Sequence, residues 1–174
     1  MQFDRPPRER GGATRFKVSL AEAQSEVQEA QRLRWKVFAE EQCAKLSSPV
    51  AGLDIDRFDD HCEHLIVRDL ANGLVIGTYR LLTADAARRI GGYYSDHEFD
   101  LSRLVDRRDG LLEVGRSCVH PDYRNGATIA LLWSGLARFL LQSGHQALIG
   151  CASIGLAGQE GAGALLAREL FRQN

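Results

Sequence analysis

Residues 111–122 read LLEVGRSCVHPD, and YRNGATIALLW follows directly. An apolar run suited to a buried strand carries Glu113 and Arg116, three positions apart, and is stopped by His120-Pro121. Charged side chains are seldom buried without a partner, because stripping the water from each ion costs several kcal/mol. One reading of the two charges is a structural ion pair; the other is a strand lining a cleft. In a regular strand, residues three apart point to opposite faces, so a shared cleft requires an irregularity. Val114-Gly115 is where it is expected, since glycine permits a bulge and bulges cluster beside active sites.

Working outward, Asn125 to Gln142 carries Ile129, Leu132, Trp133, Leu136, Phe139 and Leu140 at helical spacing, with Gly144 as its stop. ALIGCAS then reads as a strand and Gly158 to Arg172 as a final helix. Upstream, HLIVRDL and LVIGTYRLLT flank Ala71-Asn72-Gly73, a hairpin signal. TRFKVSL (Thr14 to Leu20) alternates as a first strand. Ser19-Leu-Ala-Glu22 matches a capping box opening a helix to about Glu41, with Val27, Ala30, Val37 and Phe38 near one face and Leu33 and Arg34 at its edge. Residues 84–98 read as a loop, EFDLSRLV as a short helix and Asp109-Gly110 as a turn. The resulting order, β-α-β-β-β-α-β-α, predicts a mixed α/β domain over residues 14–174, preceded by a polar, disordered arm at 1–13.

The 174 residues suffice for one domain with its own core. A net charge of -1 offers no global field for nucleic acid or anionic lipid. No stretch has the apolar length of a membrane span or of a signal peptide, so a cytoplasmic location is expected. Cys43, Cys62, Cys118 and Cys151 show no CxxC spacing and read as reduced thiols packed as small hydrophobes. HCEH (His61 to His64) would set its histidines on opposite strand faces, with no second ligand cluster elsewhere, so no metal is expected.

Charges recur beside the same elements: Arg34 in RLRWKVF, Asp56 and Asp59 in DIDRFDDH, Arg80 in GTYRLL, then Glu113 and Arg116. Together they read as one paired-charge constellation lining a cleft. Arg34-x-x-x-Phe38, Asp56-x-x-Asp59, Gly77-x-x-Arg80-Leu81 and Glu113-x-x-Arg116 resemble the charged signature of acyl-homoserine-lactone synthases. HCEHL, GTYRLL, GGYYSDHEFDLS, LEVGRSCVHPDYR and LLWSGLARFL make the fuller resemblance, to bacterial ornithine N-acyltransferases. Both groups lie in the GNAT superfamily, and the likeness covers roughly residues 30–155.

The resemblance implies a GNAT-like fold, a mixed central sheet flanked by helices. It implies transfer of a 3-hydroxyacyl chain from acyl carrier protein, as its phosphopantetheine thioester, to the α-amine of L-ornithine, giving lyso-ornithine lipid. Aminolysis of a thioester needs an amine that has lost a proton, and Glu113 is the carboxylate placed to accept it, beside Arg116. Backbone N–H groups of Ser117, Cys118 and Val119 are expected to hold the oxyanion. Asp56 or Asp59 suits the δ-ammonium and Arg80 or Arg116 the carboxylate, with Arg34 and Phe38 completing the acceptor site. An acidic carrier would dock on Arg88, Arg89, Arg107, Arg108 and Arg124. The lipid product would bring the protein to the inner-membrane surface.

Two departures stand out. Arg124-Asn-Gly-Ala-Thr-Ile breaks the spacing of the superfamily's pyrophosphate loop, which favours a carrier-protein donor over coenzyme A and no bound cofactor. The chain also ends before the two further strands expected after the last helix. A homoserine-lactone synthase using S-adenosylmethionine, and a non-catalytic carrier- or lipid-binding relic, are the alternative readings.

Overall fold

The computed structural model describes residues 15–153. The arm at 1–13, the helix expected at 158–172 and any strands after it lie outside the described residues. Five strands form one sheet in chain order: β1 (Phe16–Leu20), β2 (Glu63–Asp69), β3 (Val75–Thr83), β4 (Leu111–Val119) and β5 (Ala147–Ile149). The first four are antiparallel to their neighbours, and β5 lies parallel to β4. Helices α1 (Gln24–Trp35), α2 (Ala84–Ile90) and α3 (Ala127–Ser143) flank the sheet.

The Ser19 capping box is absent. Ser19 and Leu20 pair with Ile66 and Leu65, so sheet pairing claims those backbone groups and the helix starts at Gln24, after Ala23. It continues through Lys36–Glu41 as a π-helical stretch, as far as the sequence suggests. Its buried residues are Ala30, Gln31, Leu33 and Arg34, so the expected edge of the helix is its packed face. The β2–β3 hairpin forms as expected, with Asn72 Oδ1 accepting from Leu74 N at 3.0 Å and Gly73 at φ 75°.

Residues 84–98 are not a loop throughout. Thr83 Oγ1 accepts from Ala86 N, Asp85 lies in the first turn, Arg88 and Arg89 in the last, and Gly91 at φ 90° ends α2. Caps and end charges make this helix, because seven residues show little periodicity. The expected helix at EFDLSRLV is replaced by a 3₁₀ segment over Ser102–Gly110. ALIGCAS keeps strand structure only over Ala147–Ile149.

Leu132 and Leu136 of α3 pack on Leu65, Val67, Ile76, Leu81, Leu112 and Val119. The opposite face seats Ala30, Leu33 and Val37 against Ile66, Val75 and Cys118, while a second cluster joins Phe58, Leu82, Ala87, Tyr93 and Leu111. β5 pairs only with Leu111–Glu113 of β4. Gly150 then crosses the Val114 carbonyl, where a Cβ would collide with the oxygen. Beyond that crossing β4 runs on to Val119, and its edge on the β5 side has no strand partner among the described residues.

Candidate active site

The irregularity expected in β4 is present, slightly later than Val114-Gly115. Arg80 opposes Gly115, yet Thr78 opposes Cys118, so Tyr79 alone faces both Arg116 and Ser117. Arg116 adopts φ 49°, a left-handed conformation that costs a non-glycine residue about 1–3 kcal/mol. This extra residue carries Arg116 to the face that also holds Arg80, where its Nη2 donates to Asp56 Oδ2 at 3.2 Å.

Three arginines and three aspartates then alternate from the interior to the surface. Arg34, fully buried, donates from Nε to Asp54 at 2.9 Å, from Nη2 to Asp59 at 2.7 Å, and to the Asp54 carbonyl. Arg80 reaches Asp56 at 2.6 Å and lies 3.5 Å from Asp59. Arg116 Nε lies 3.4 Å from Asp54. Side-chain exposure rises along this ladder, from 0% at Arg34 and 1% at Asp59 to 21% at Asp56 and 27% at Arg116. The inner rungs are shut away from solvent and the outer pair meets it. Burial pushes Asp56 up, but Arg80, then the Phe58 N–H and Arg116, outweigh it and hold its carboxyl below the usual range. His64 packs on the inner rungs, its Nδ1 3.4 Å from Arg34 Nη1, and burial lowers its pKa.

Glu113 does not touch Arg116. It turns to residues 94 and 95, accepting from Tyr94 N and Ser95 N at 2.7 Å each and from the Ser95 hydroxyl. It is 5% exposed. The two charges of the opening stretch thus share a face but serve different partners. Ser95 Oγ also lies 3.5 Å from Cys151 Sγ, in the residues that leave β4 after Gly150. Ser95 lies within the quoted GGYYSDHEFDLS stretch but is not singled out there, because it reaches Glu113, and Cys151 reaches Ser95, only through folding. Asp54, by contrast, sits two residues before Asp56 and could have been paired with it by spacing.

Ser117 is exposed at the bulge, Cys118 packs on α1 and Val119 on α3. Burial pushes the Cys118 thiol up to about 12, and the Cys62 thiol likewise to about 12. Phe38 is half-buried against the α1 core. The docking arginines do not form one patch. Arg88 bridges Asp85 and Asp109, and Arg108 binds Asp96 at 2.8 Å; both lie with the exposed Arg89 and Arg107 before β4. Arg124 follows β4, roughly 27 Å away along the strand, and is engaged by Glu41 at 2.7 Å and by the Val119 carbonyl. A cavity of ≈ 300 Å³ beside α2, lined by Ala84, Ala87, Tyr93 and Arg108 among others, contains no ladder residue.

A family model for the acetyltransferase (GNAT) domain matches residues 33–134. The chain is 41% identical over 153 residues to the L-ornithine N(alpha)-acyltransferase of Rhizobium meliloti (strain 1021), covering 82% of this chain and 51% of the relative. Identity to the protein of the same name from Brucella abortus (strain 2308) is 40% over 147 residues, covering 79% and 52%. The chain therefore spans about half the length of the curated relatives it matches. Among solved structures, the AHL synthase LasI superposes with a TM-score of 0.58 at 17% identity, covering 90% of this chain and 77% of that one. A putative N-acetyltransferase from Lactobacillus plantarum gives 0.53 at 21% identity, covering 91% and 84%. These likenesses share the mixed sheet, and with the family match extending over more than half its residues, the chain belongs to the GNAT acetyltransferase-domain family.

Proposed function

We propose that this chain is an N-acyltransferase that moves a 3-hydroxyacyl group from acyl carrier protein to the α-amine of L-ornithine, yielding lyso-ornithine lipid. The outer end of the charge ladder carries the reading. Asp56 and Arg116 sit side by side, partly exposed, beside the edge of β4 that has no strand partner among the described residues. An acceptor bearing both an ammonium side chain and a carboxylate needs such a pair, with Asp56 holding the δ-ammonium and Arg116 the carboxylate. The shared name of the curated relatives supports ornithine as that acceptor.

In this reading Arg80 fixes Asp56, while Arg34 and Asp59 hold the loop that presents it. Backbone groups of Ser117, Cys118 and Val119 stabilise the oxyanion, and Glu113 takes the ammonium proton. A carrier-bound donor is supported by Arg124, whose guanidinium is already engaged by Glu41 and the Val119 carbonyl where the superfamily's loop would bind pyrophosphate. The exposed Arg89 and Arg107 supply cations for an acidic carrier, and the lipid product would draw the enzyme to the membrane surface. Among the described residues, no helix is long and apolar enough to cross a membrane.

The test is product analysis by mass spectrometry, using purified protein, 3-hydroxyacyl-carrier protein and a panel of amino acids. N-acyl-ornithine as the main product is expected. Acyl-homoserine lactone formed with S-adenosylmethionine, or tight carrier binding without product, would overturn the proposal.

A further inference from the structure

Glu113 is the natural proton acceptor of the reaction, yet it cannot meet an amine directly. It is 5% exposed, and both of its oxygens face the turn at residues 94–95. Three groups donate to it, and two of them are peptide N–H groups, which hold a carboxylate but do not pass protons. The third is the Ser95 hydroxyl. An ionised carboxylate only accepts, so the Ser95 O–H points at Glu113 Oε1. A lone pair of Ser95 Oγ is left facing Cys151 Sγ at 3.5 Å, on the segment that follows Gly150 where β5 parts from β4. Cys151 is half-buried there. The polarity of the chain thus follows from the chemistry of its buried end: a donor at the cleft side, Ser95 in the middle, Glu113 as sink.

We propose that Ser95 is the proton relay between the acceptor amine and Glu113, an inference that rests on the reading of this chain as an amine acyltransferase. Ser95 is itself 3% exposed, so the acceptor ammonium, through one water past the half-buried Cys151 side chain, gives a proton to Ser95 Oγ as Ser95 passes its own to Glu113 Oε1. The freed amine attacks the thioester carbon. The new C–N bond forms, the C–S bond breaks, and the electron pair leaves on sulfur. The amine's second proton goes to that thiolate, and Glu113 returns its proton to solvent by the same route. The two backbone hydrogen bonds from Tyr94 and Ser95 hold Glu113 in place without the hydroxyl, so positioning and relay can be separated by mutation.

The experiment compares wild type, Ser95→Ala and Ser95→Thr with 3-hydroxyacyl-carrier protein and two acceptors, ornithine and hydroxylamine, after subtraction of the uncatalysed rate. Hydroxylamine is a nucleophile already free of its extra proton at neutral pH and needs no relay. With ornithine, Ser95→Ala is expected to lower kcat by about 10²-fold with KM little changed, the lower end of what a proton-transfer group contributes. The deficit should shrink as pH rises and the amine deprotonates unaided. With hydroxylamine the variant should match wild type within about threefold, and Ser95→Thr should recover most of the ornithine rate. A Ser95→Ala protein whose ornithine rate and pH profile equal those of wild type overturns the relay. So does an equal loss with both acceptors, which marks a structural role. If Ser95→Ala does not fold, wild type decides: a solvent deuterium effect on kcat of the same size with either acceptor overturns the relay, and a larger effect with ornithine supports it. Failure of the underlying reading is visible separately, as wild type that acylates hydroxylamine and not ornithine, or neither.

Discussion

Replacing Arg34 by Met should destabilise the fold far more than an ordinary surface change. The guanidinium has no exposed surface and bonds Asp54 at 2.9 Å and Asp59 at 2.7 Å, both nearly buried themselves. Met fills much of the volume and removes the charge. Two carboxylates would then lose their inner cation and keep longer contacts to the other arginines, Asp59 to Arg80 at 3.5 Å and Asp54 to Arg116 at 3.4 Å, with the Asp56 N–H still donating to Asp59 at 2.8 Å. Breaking a buried pair by deleting one partner costs about 3–5 kcal/mol, chiefly the desolvation of the ion left behind. Against a total of about 5–15 kcal/mol for a typical domain, that is a large fraction. For a domain of this size each kcal/mol moves Tm by about 2–4 °C, so the melt should fall by about 6–20 °C. Thermal and urea unfolding followed by circular dichroism measures it. Adding Asp54→Asn to Arg34→Met should recover part of the loss, since the stranded charge is gone. A melt within about 2 °C of wild type would refute the claim that the inner rungs hold the 54–61 loop in place.

At the solvent end, Arg116→Lys keeps a cation but loses the two-pronged reach towards Asp54 and Asp56, so KM for ornithine should rise about tenfold with Tm nearly unchanged; an unchanged KM would remove Arg116 from the acceptor site. Acid should weaken the fold through Asp69, which Arg15, against the cost of burial, and the Ala71 N–H hold at about 2 from an ordinary 3.8. A depressed carboxylate stabilises the folded state above its ordinary range and loses that contribution as pH falls through the folded value. Urea midpoints should therefore drop between about pH 4 and 2, and Asp69→Asn should flatten that part of the curve. Gly135→Ala would set a Cβ 2.6 Å from Val18 Cγ1 and 3.0 Å from Leu65 Cδ1, lifting α3 off the sheet at a cost of about 1–3 kcal/mol; Val18→Ala in the same chain should relieve most of it. Carrier-bound donor should be used at least about tenfold better than acyl-coenzyme A, a preference of ~1.4 kcal/mol, and added salt should erode it.

Much of this architecture was present in the local sequence. β4, the 70–74 hairpin and α3 need only alternation, an Asn-Gly turn and a 3.6-residue apolar stripe, all properties of neighbouring residues. The bulge in β4 was also legible, because two charges three apart cannot share a cleft on a regular strand and Gly115 stood beside them. Most of the ladder was legible too: Arg34, Asp56, Asp59, Arg80 and Arg116 read as one constellation of charges in the sequence, though that constellation also held Glu113, which lies outside the ladder, and lacked Asp54, which belongs to it.

What tertiary structure alone decided was who pairs with whom. Spacing placed Glu113 with Arg116, yet strand parity and the bulge sent Arg116 to Asp56 and left Glu113 to a turn eighteen residues upstream at Ser95. Ser19 was a plausible cap until β2 offered its backbone a ladder of hydrogen bonds, a choice no local pattern records. Arg34 looked like one more cleft residue, and only packing under the 54–61 loop showed it to be interior. The five docking arginines resemble one patch in sequence, but β4 stands between Arg124 and the rest. Sequence declares which groups must find partners, because uncompensated charge is costly anywhere in a core; the fold selects the partners, because distance between elements is a property of the assembled sheet.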